Sequence, residues 1–366
     1  METQNGKFGN KIYNTMKKVL VNGNMGYIGP IVVSYLRKKY PEIEIIGFDK
    51  SYFAGCLIDP NIFPEGGNVD IQYFGDVRCF PKNILKDVDA VIQLAAISND
   101  PMGKLFENPT KEINNLSVVE IAKLSKEMGV KNFIFASSCS VYGLASENAK
   151  TEESELNPLT AYAKSKIDCE LKLKNLASES FIITALRFAT ACGFSPRLRL
   201  DLVLNDFVAS AYLNSKIEIL SDGSPLRPLI HVKDMARAID WASTRVQNLG
   251  GDFLVVNTGS NSWNFRVIEL AEKVKEVIGN VDISINPNAK SDNRSYKVNF
   301  DLYKSLAPNH LPQMTINDAV KDLLNGLKLM NFNDKDFRNS NFIRLKTLNE
   351  LIDQKKIDPN LNWIKN

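Results

Sequence analysis

The sequence predicts an α/β fold: a doubly wound parallel sheet with helices on both faces and a smaller, discontinuous C-terminal part. Three observations carry this. Short apolar runs alternate with amphipathic stretches of helical period, the pattern of strands joined by crossover helices. Three glycines, Gly23, Gly26 and Gly29, fill the junction between the first run and the first helix. After Arg187 the alternation gives way to loop-rich sequence, which marks a second structural unit.

In chain order, Lys18–Val21, Ile43–Phe48, Val69–Phe74, Ala90–Leu94, Asn132–Ala136 and Phe181–Arg187 read as buried strands. Between them, Ile31–Lys39, Ile113–Met128 and Ala161–Leu176 read as helices. Pro30 suits the first helical turn, where its missing N–H would be unpaired in any residue. Residues 192–230 read as loop-rich, with Ser195-Pro196-Arg197 and Ser221-Asp222-Gly223. Phe253–Asn257 returns to strand composition, Phe265–Ile278 reads as a helix, and an irregular tail follows. The expected division is a loose polar leader, residues 1–16, and a sheet domain, residues 17–190 with a return near 231–260. Residues 191–230 and 261–366 form the smaller part.

The 366 residues are 44% hydrophobic and 24% charged, ordinary values for a soluble globular chain with a sizeable core. A net charge of +3, scattered along the chain, argues against a nucleic-acid partner. No apolar run resembles a signal peptide or a membrane span, so a cytoplasmic protein without a membrane partner is expected. The cysteines, Cys56, Cys79, Cys139, Cys169 and Cys192, are odd in number and lack CxxC spacing. They fit reduced thiols, and with two histidines in the chain no metal centre is expected.

The segment Gly23-Asn24-Met25-Gly26-Tyr27-Ile28-Gly29 follows a strand and opens a helix. Glycine permits the tight turn and lets the backbone approach a pyrophosphate, which the helix N-terminus attracts. Asp49 ends the second strand, where a carboxylate can bond the adenosine ribose hydroxyls and repel a 2′-phosphate. NAD is therefore expected over NADP, with Lys50 beside Asp49 as a mild counter-indication. Asp76 and Val77 follow the third strand, where they could meet the adenine. Leu94, Ala95 and Ala96 end the fourth, where small residues let the chain pass close to a cofactor.

Tyr162 and Lys166 stand four residues apart, one helical turn. A tyrosine is a poor base at neutral pH unless neighbouring positive charge favours its phenolate. Ser137-Ser138-Cys139-Ser140-Val141-Tyr142-Gly143 follows the fifth strand, at the sheet edge where ligands bind. A hydroxyl there can bond a reacting oxygen and help move its proton.

In combination these motifs resemble the extended short-chain dehydrogenase/reductase family, in particular its nucleotide-sugar epimerases and dehydratases. The resemblance covers about residues 17–300 and includes Asn114 and Arg227-Pro-Leu-Ile-His-Val-Lys-Asp234. It implies a Rossmann-type NAD-binding domain followed by a substrate-binding part. It makes Tyr162 the general base, Lys166 its electrostatic partner at the nicotinamide ribose, and Ser138 the hydroxyl beside the sugar oxygen. Asn114 braces the active-site helix. Thr190 stands where many relatives carry asparagine, and Asn22 replaces a usual threonine or serine. Ser98 and Asn99 belong to the loop that lines the sugar pocket in the family. Arg227 and Arg294 are the expected contacts to the sugar nucleotide's phosphates, Arg197 and Arg199 close over the ligand, and Asn205 meets the nucleotide through its side chain or backbone.

The family's 4,6-dehydratases carry an Asp-Glu pair after the hydroxyl residue. This chain has Cys139 and Ser140 there, which argues against dehydration. Relatives that epimerise at C3 and C5 use a similar cysteine together with a histidine, and neither His231 nor His310 is an obvious partner. Cys139 otherwise reads as a small buried side chain. The expected activity is NAD-dependent 4-epimerisation of a nucleotide sugar. A 4-dehydrogenase, a 4-keto-reductase and a non-catalytic NAD-binding protein are the alternatives. The family also implies a homodimer through the helices of residues 113–128 and 161–176.

Overall fold

A computed structural model describes residues 16–57, 59, 61–144, 148–286 and 295–364. Six strands come from the first half of the chain: β1 (Lys18–Asn22), β2 (Glu44–Asp49), β3 (Ile71–Phe74), β4 (Ala90–Gln93), β5 (Asn132–Ser138) and β6 (Ile182–Phe188). Six more follow: β7 (Thr190–Cys192), β8 (Lys216–Ile219), β9 (Leu226–His231), β10 (Phe253–Thr258), β11 (Asn264–Arg266) and β12 (Asp282–Ile285). The main sheet has seven strands in the order β10-β6-β5-β4-β1-β2-β3, all parallel. This is the doubly wound, Rossmann-type arrangement.

Strand β1 pairs with β2 on one side and β4 on the other, so the chain reverses its winding there. A crevice opens at the carboxyl ends of strands at such a point, and ligands occupy it. Both faces of the sheet are buried along its central strands. Val19 and Val21 enter one core, and Leu20, between them, enters the other. The first core continues into Leu204, Leu229 and Leu270 of the later elements, so the smaller part is welded to one face of the sheet.

Four expectations need correction. The run Val69–Phe74 is not a buried strand: β3 is a short edge strand bonded to β2 alone, and Phe74 is 69% exposed. Residues 192–230 are not mainly loop: they hold β8, β9 and a helix, Val203–Asn214. That helix buries Leu204, Phe207, Val208, Ala209 and Ala211, so its sequence lacks a clear polar face. The tail is not irregular, since it forms helices at Asp301–Leu306, Ile316–Leu329 and Arg344–Asp353. Thr315 and Asp318 form a reciprocal capping box for the second of these, a signal visible in the sequence. The helix expected over Ile113–Met128 is split, with a π turn at Glu112–Leu116 preceding Ser117–Glu127. Among the described residues, no helix is long and apolar enough to cross a membrane.

Candidate active site

A cavity of about 810 Å³ opens at the carboxyl ends of the central strands, between the sheet and the smaller part. Its floor is the glycine turn. Gly23 has φ +87°, and a Cβ there would lie 2.5 Å from the Ala95 nitrogen, so no other residue fits. A Cβ on Gly29 would meet the Asn24 carbonyl oxygen at 2.2 Å. Gly26 differs: a Cβ would meet only the Gly23 oxygen at 3.3 Å, and the residue faces the cavity. The first two glycines close the fold, and Gly26 leaves room for a ligand.

The helix Gly29–Lys39 begins with no side-chain cap; Pro30 has no N–H and the Ile31 and Val32 N–H groups bond the Ile28 carbonyl, so the positive end of the helix, with the Gly29 N–H, is what it offers an anion. Asp49 lines the cavity and accepts hydrogen bonds from the Met25 and Ser51 backbones, at 3.0 and 2.7 Å. Burial raises its pKa against these bonds. Lys50, Asp76 and Val77 line the same end, with Leu94, Ala95 and Ala96 beyond them. Asp76 is already paired with Lys50 and Arg78. Burial works against its charge, but hydrogen bonds from Arg78 and Lys50 prevail and lower its pKa to about 2.

At the other end stand Ser138, Tyr162 and Lys166. Ser138 is the last residue of β5. Tyr162 sits in the first turn of Ala161–Lys174, whose cap Thr160 accepts from the Ala163 N–H and donates to Asp100. Gly103 packs against Tyr162, where a Cβ would lie 3.3 Å from the tyrosine's own. Lys166 is 3% exposed; its ammonium lies 5.5 Å from the Tyr162 ring centre and donates to the Ala136 carbonyl at 2.7 Å. Burial lowers the Lys166 pKa to about 8. Burial raises Tyr162 to about 12, with hydrogen bonding to Ser138 pulling the other way. A phenol held this way needs added positive charge before it could act as a base, which a cationic nicotinamide would supply. Ser140 lines the cavity with a buried hydroxyl that has no hydrogen-bond partner among the described residues.

Behind this site, Glu170 accepts a bond from Ser137 at 2.5 Å and is clamped by Arg187 through two nitrogens. The network ties the end of β5 to the helix of Tyr162 and Lys166. Asn114, held in the π turn, both accepts from the Ile97 N–H and donates to its carbonyl, and it reaches Ser165 at 3.3 Å. It braces the site and does not line the cavity.

Ser98, Asn99, Thr190 and Arg227 also line the cavity, as do Tyr27 and Ile28. Other expected contacts stand elsewhere. Asn24 bonds Gln72, and Met25 contributes its backbone to Asp49; neither lines the cavity. Arg197 is paired with Glu65 in the interior, with both side chains 2% exposed. Asn205 bonds the Gly193 N–H, the Tyr27 hydroxyl and the Arg199 carbonyl. Cys139 is 1% exposed and donates to the Arg187 carbonyl, and burial pushes its pKa far up. Arg294 lies outside the described residues. The cavity also takes Tyr52, Phe53, Arg199 and Arg344. Of these, sequence reasoning singled out Arg199, which pairs with Asp201 and donates to Ser98 at 2.9 Å. No local motif marks the other three.

The model of the NAD dependent epimerase/dehydratase family matches residues 19–257. The chain belongs to this family. NAD is accordingly the dinucleotide of the cleft, and the helix N-terminus, Gly26 and Asp49 are suited to hold it. UDP-glucose 4-epimerase 2 of Arabidopsis thaliana is 26% identical, over 72% of this chain and 81% of that protein. A dTDP-D-glucose 4,6-dehydratase of Dictyostelium discoideum is also 26% identical, over 66% of this chain and 60% of that protein. Among solved structures, the UDP-glucuronic acid 4-epimerase of Bacillus cereus with UDP-glucuronic acid and NAD aligns with a TM-score of 0.72. It is 22% identical and covers 86% of this chain and 99% of that one. The family thus contains enzymes of two reaction classes on one fold.

Proposed function

We propose that the protein is a nucleotide-sugar 4-epimerase. The observation that carries this is the pair of residues after Ser138. Elimination of water from a sugar needs an acid and a base beside the hydroxyl residue. Here Cys139 is turned into the core and Ser140 presents a neutral hydroxyl.

When bound, NAD accepts hydride from the sugar carbon and can give it back. The chain's own residues handle the proton and the geometry. Tyr162 takes the proton of the sugar hydroxyl, which Ser138 holds by a hydrogen bond. Lys166 and the nicotinamide charge stabilise the phenolate. Ser140 offers its hydroxyl to the sugar, and Thr190 and Asn99 stand on the cavity wall nearby as further polar contacts. Arg227, on the cavity wall, supplies a cation for the sugar's diphosphate. Retention of NAD through both half-reactions gives an epimer without net oxidation. The names of the relatives favour UDP sugars as substrates.

The test incubates purified protein with UDP-, GDP-, dTDP- and CDP-sugars without added cofactor, read by mass spectrometry and proton NMR. A C4 epimer of unchanged mass is expected. Loss of water would refute the reading in favour of a dehydratase. Turnover only with supplied NAD or NADH, or a product two mass units lighter, would move it to a dehydrogenase or reductase.

A further inference from the structure

The family match ends at residue 257, yet the helix Arg344–Asp353 returns to the dinucleotide cleft. Its first residue, Arg344, is 2% exposed and lines the cavity. Two contacts fix its position. The guanidinium lies 4.9 Å from the ring centre of Phe53, in the loop that follows Asp49. It also donates to the Arg197 carbonyl at 2.8 Å, in the segment that Ser195 fastens to the Tyr27 carbonyl at 2.6 Å. Asp49 marks the adenosine end, and Tyr27 belongs to the glycine turn. Arg344 thus contacts segments from both the Asp49 end and the glycine turn, between which a bound dinucleotide's pyrophosphate would lie.

The neighbouring arginines are neutralised by protein carboxylates, Arg197 by Glu65 and Arg199 by Asp201. Among the described residues, Arg344 donates only to backbone carbonyls, of Arg197 and, at 3.5 Å, of Asn341. No carboxylate among the described residues is within ion-pairing distance of it. Burial lowers its pKa to about 10; the like charges of Arg199 and Arg197 add to this, while Cys56 and the Asp201 carboxylate, beyond ion-pairing distance, oppose it, and the group is still a cation at neutral pH. A buried cation without a counter-ion is strongly unfavourable unless an anion joins it. The chain beyond this helix follows the same cleft. The Leu361 carbonyl accepts from Lys50, Tyr52 and Arg78, and the Trp363 indole donates to the Lys50 carbonyl at 3.0 Å.

We propose that Arg344 binds a diphosphate, that of the dinucleotide, which makes the C-terminal segment part of the cofactor site. This rests on the reading of the cleft as an NAD site.

The test strips bound nucleotide from the full chain and titrates NAD, ADP, adenosine and UDP by calorimetry into wild type, R344M and R344K. For R344M, ADP and NAD should weaken roughly tenfold or more, the worth of a charge-assisted hydrogen bond. Adenosine and UDP should be unchanged, and R344K should lie between. Unchanged ADP affinity in R344M would overturn the proposal. So would equal weakening of adenosine, which marks a structural role, or weakening of UDP alone, which assigns Arg344 to the sugar nucleotide. If R344M does not fold, R344K decides: ADP affinity equal to wild type, or lost together with adenosine, overturns the proposal. Wild type that binds neither NAD nor ADP would refute the NAD reading itself.

Discussion

Replacing Lys166 by methionine should abolish turnover and at the same time stabilise the nucleotide-free protein, with a characteristic dependence on pH. The side chain is 3% exposed, and burial lowers its pKa from 10.5 to about 8. That difference corresponds to about 3 kcal/mol of unfavourable free energy for the charged form in the fold. Methionine, of similar length and apolar, removes the penalty but leaves the Ala136 carbonyl without its donor, at a cost of about 1 kcal/mol. A net gain of about 2 kcal/mol is expected at pH 7. The sign follows from linkage. Between the folded and unfolded pKa values the unfolded chain holds the extra proton, so wild-type stability rises with pH across that window. The penalty is complete below about pH 8 and gone above about 10.5. Urea unfolding of both nucleotide-free proteins at pH 7 and pH 10 measures the difference at each, and groups common to both cancel. The advantage of Lys166→Met should shrink as pH rises. A difference of the same size and sign at both pH values would refute the argument that a buried charge is its origin.

Four further outcomes follow from the site. Tyr162→Phe should keep NAD and nucleotide-sugar affinity and lose turnover by a factor on the order of a hundred or more, measured by steady-state kinetics and calorimetry. Unchanged turnover would remove Tyr162 from the chemistry. Gly26→Val should melt near wild type yet bind NAD about tenfold or more weakly, because its side chain projects into the cleft. Gly23→Ala should lose about 1–3 kcal/mol of stability, because its backbone and the Ala95 contact admit no Cβ. Cys139→Ala should retain turnover within about twofold and cost about 1–2 kcal/mol in chemical unfolding, as for a buried side chain. Loss of turnover would instead show that the thiol handles a proton.

The alternation of strands and helices up to β6 was legible because each run matches a single, local period. Where a helix is buried almost all round, as at Val203–Asn214, no period survives, and the sequence reads as loop. The π turn at Glu112–Leu116 was also invisible, since one extra residue within a turn leaves the apolar pattern of the helix nearly intact.

The reaction centre divides the same way. Glycine at positions 23, 26 and 29, and the one-turn spacing of Tyr162 and Lys166, determine geometry by local stereochemistry, so the sequence by itself sufficed for them. The fate of each arginine depended on which carboxylates distant segments brought beside it. Arg197, in a promising motif, is neutralised by Glu65 inside the protein, while Arg344, in a segment with no motif, reaches the cleft with no carboxylate of the described residues at ion-pairing distance. Asn205 and Cys139 were likewise drawn into interior hydrogen bonds. A buried polar group takes the partner that packing supplies, and only the tertiary structure decides which partner that is.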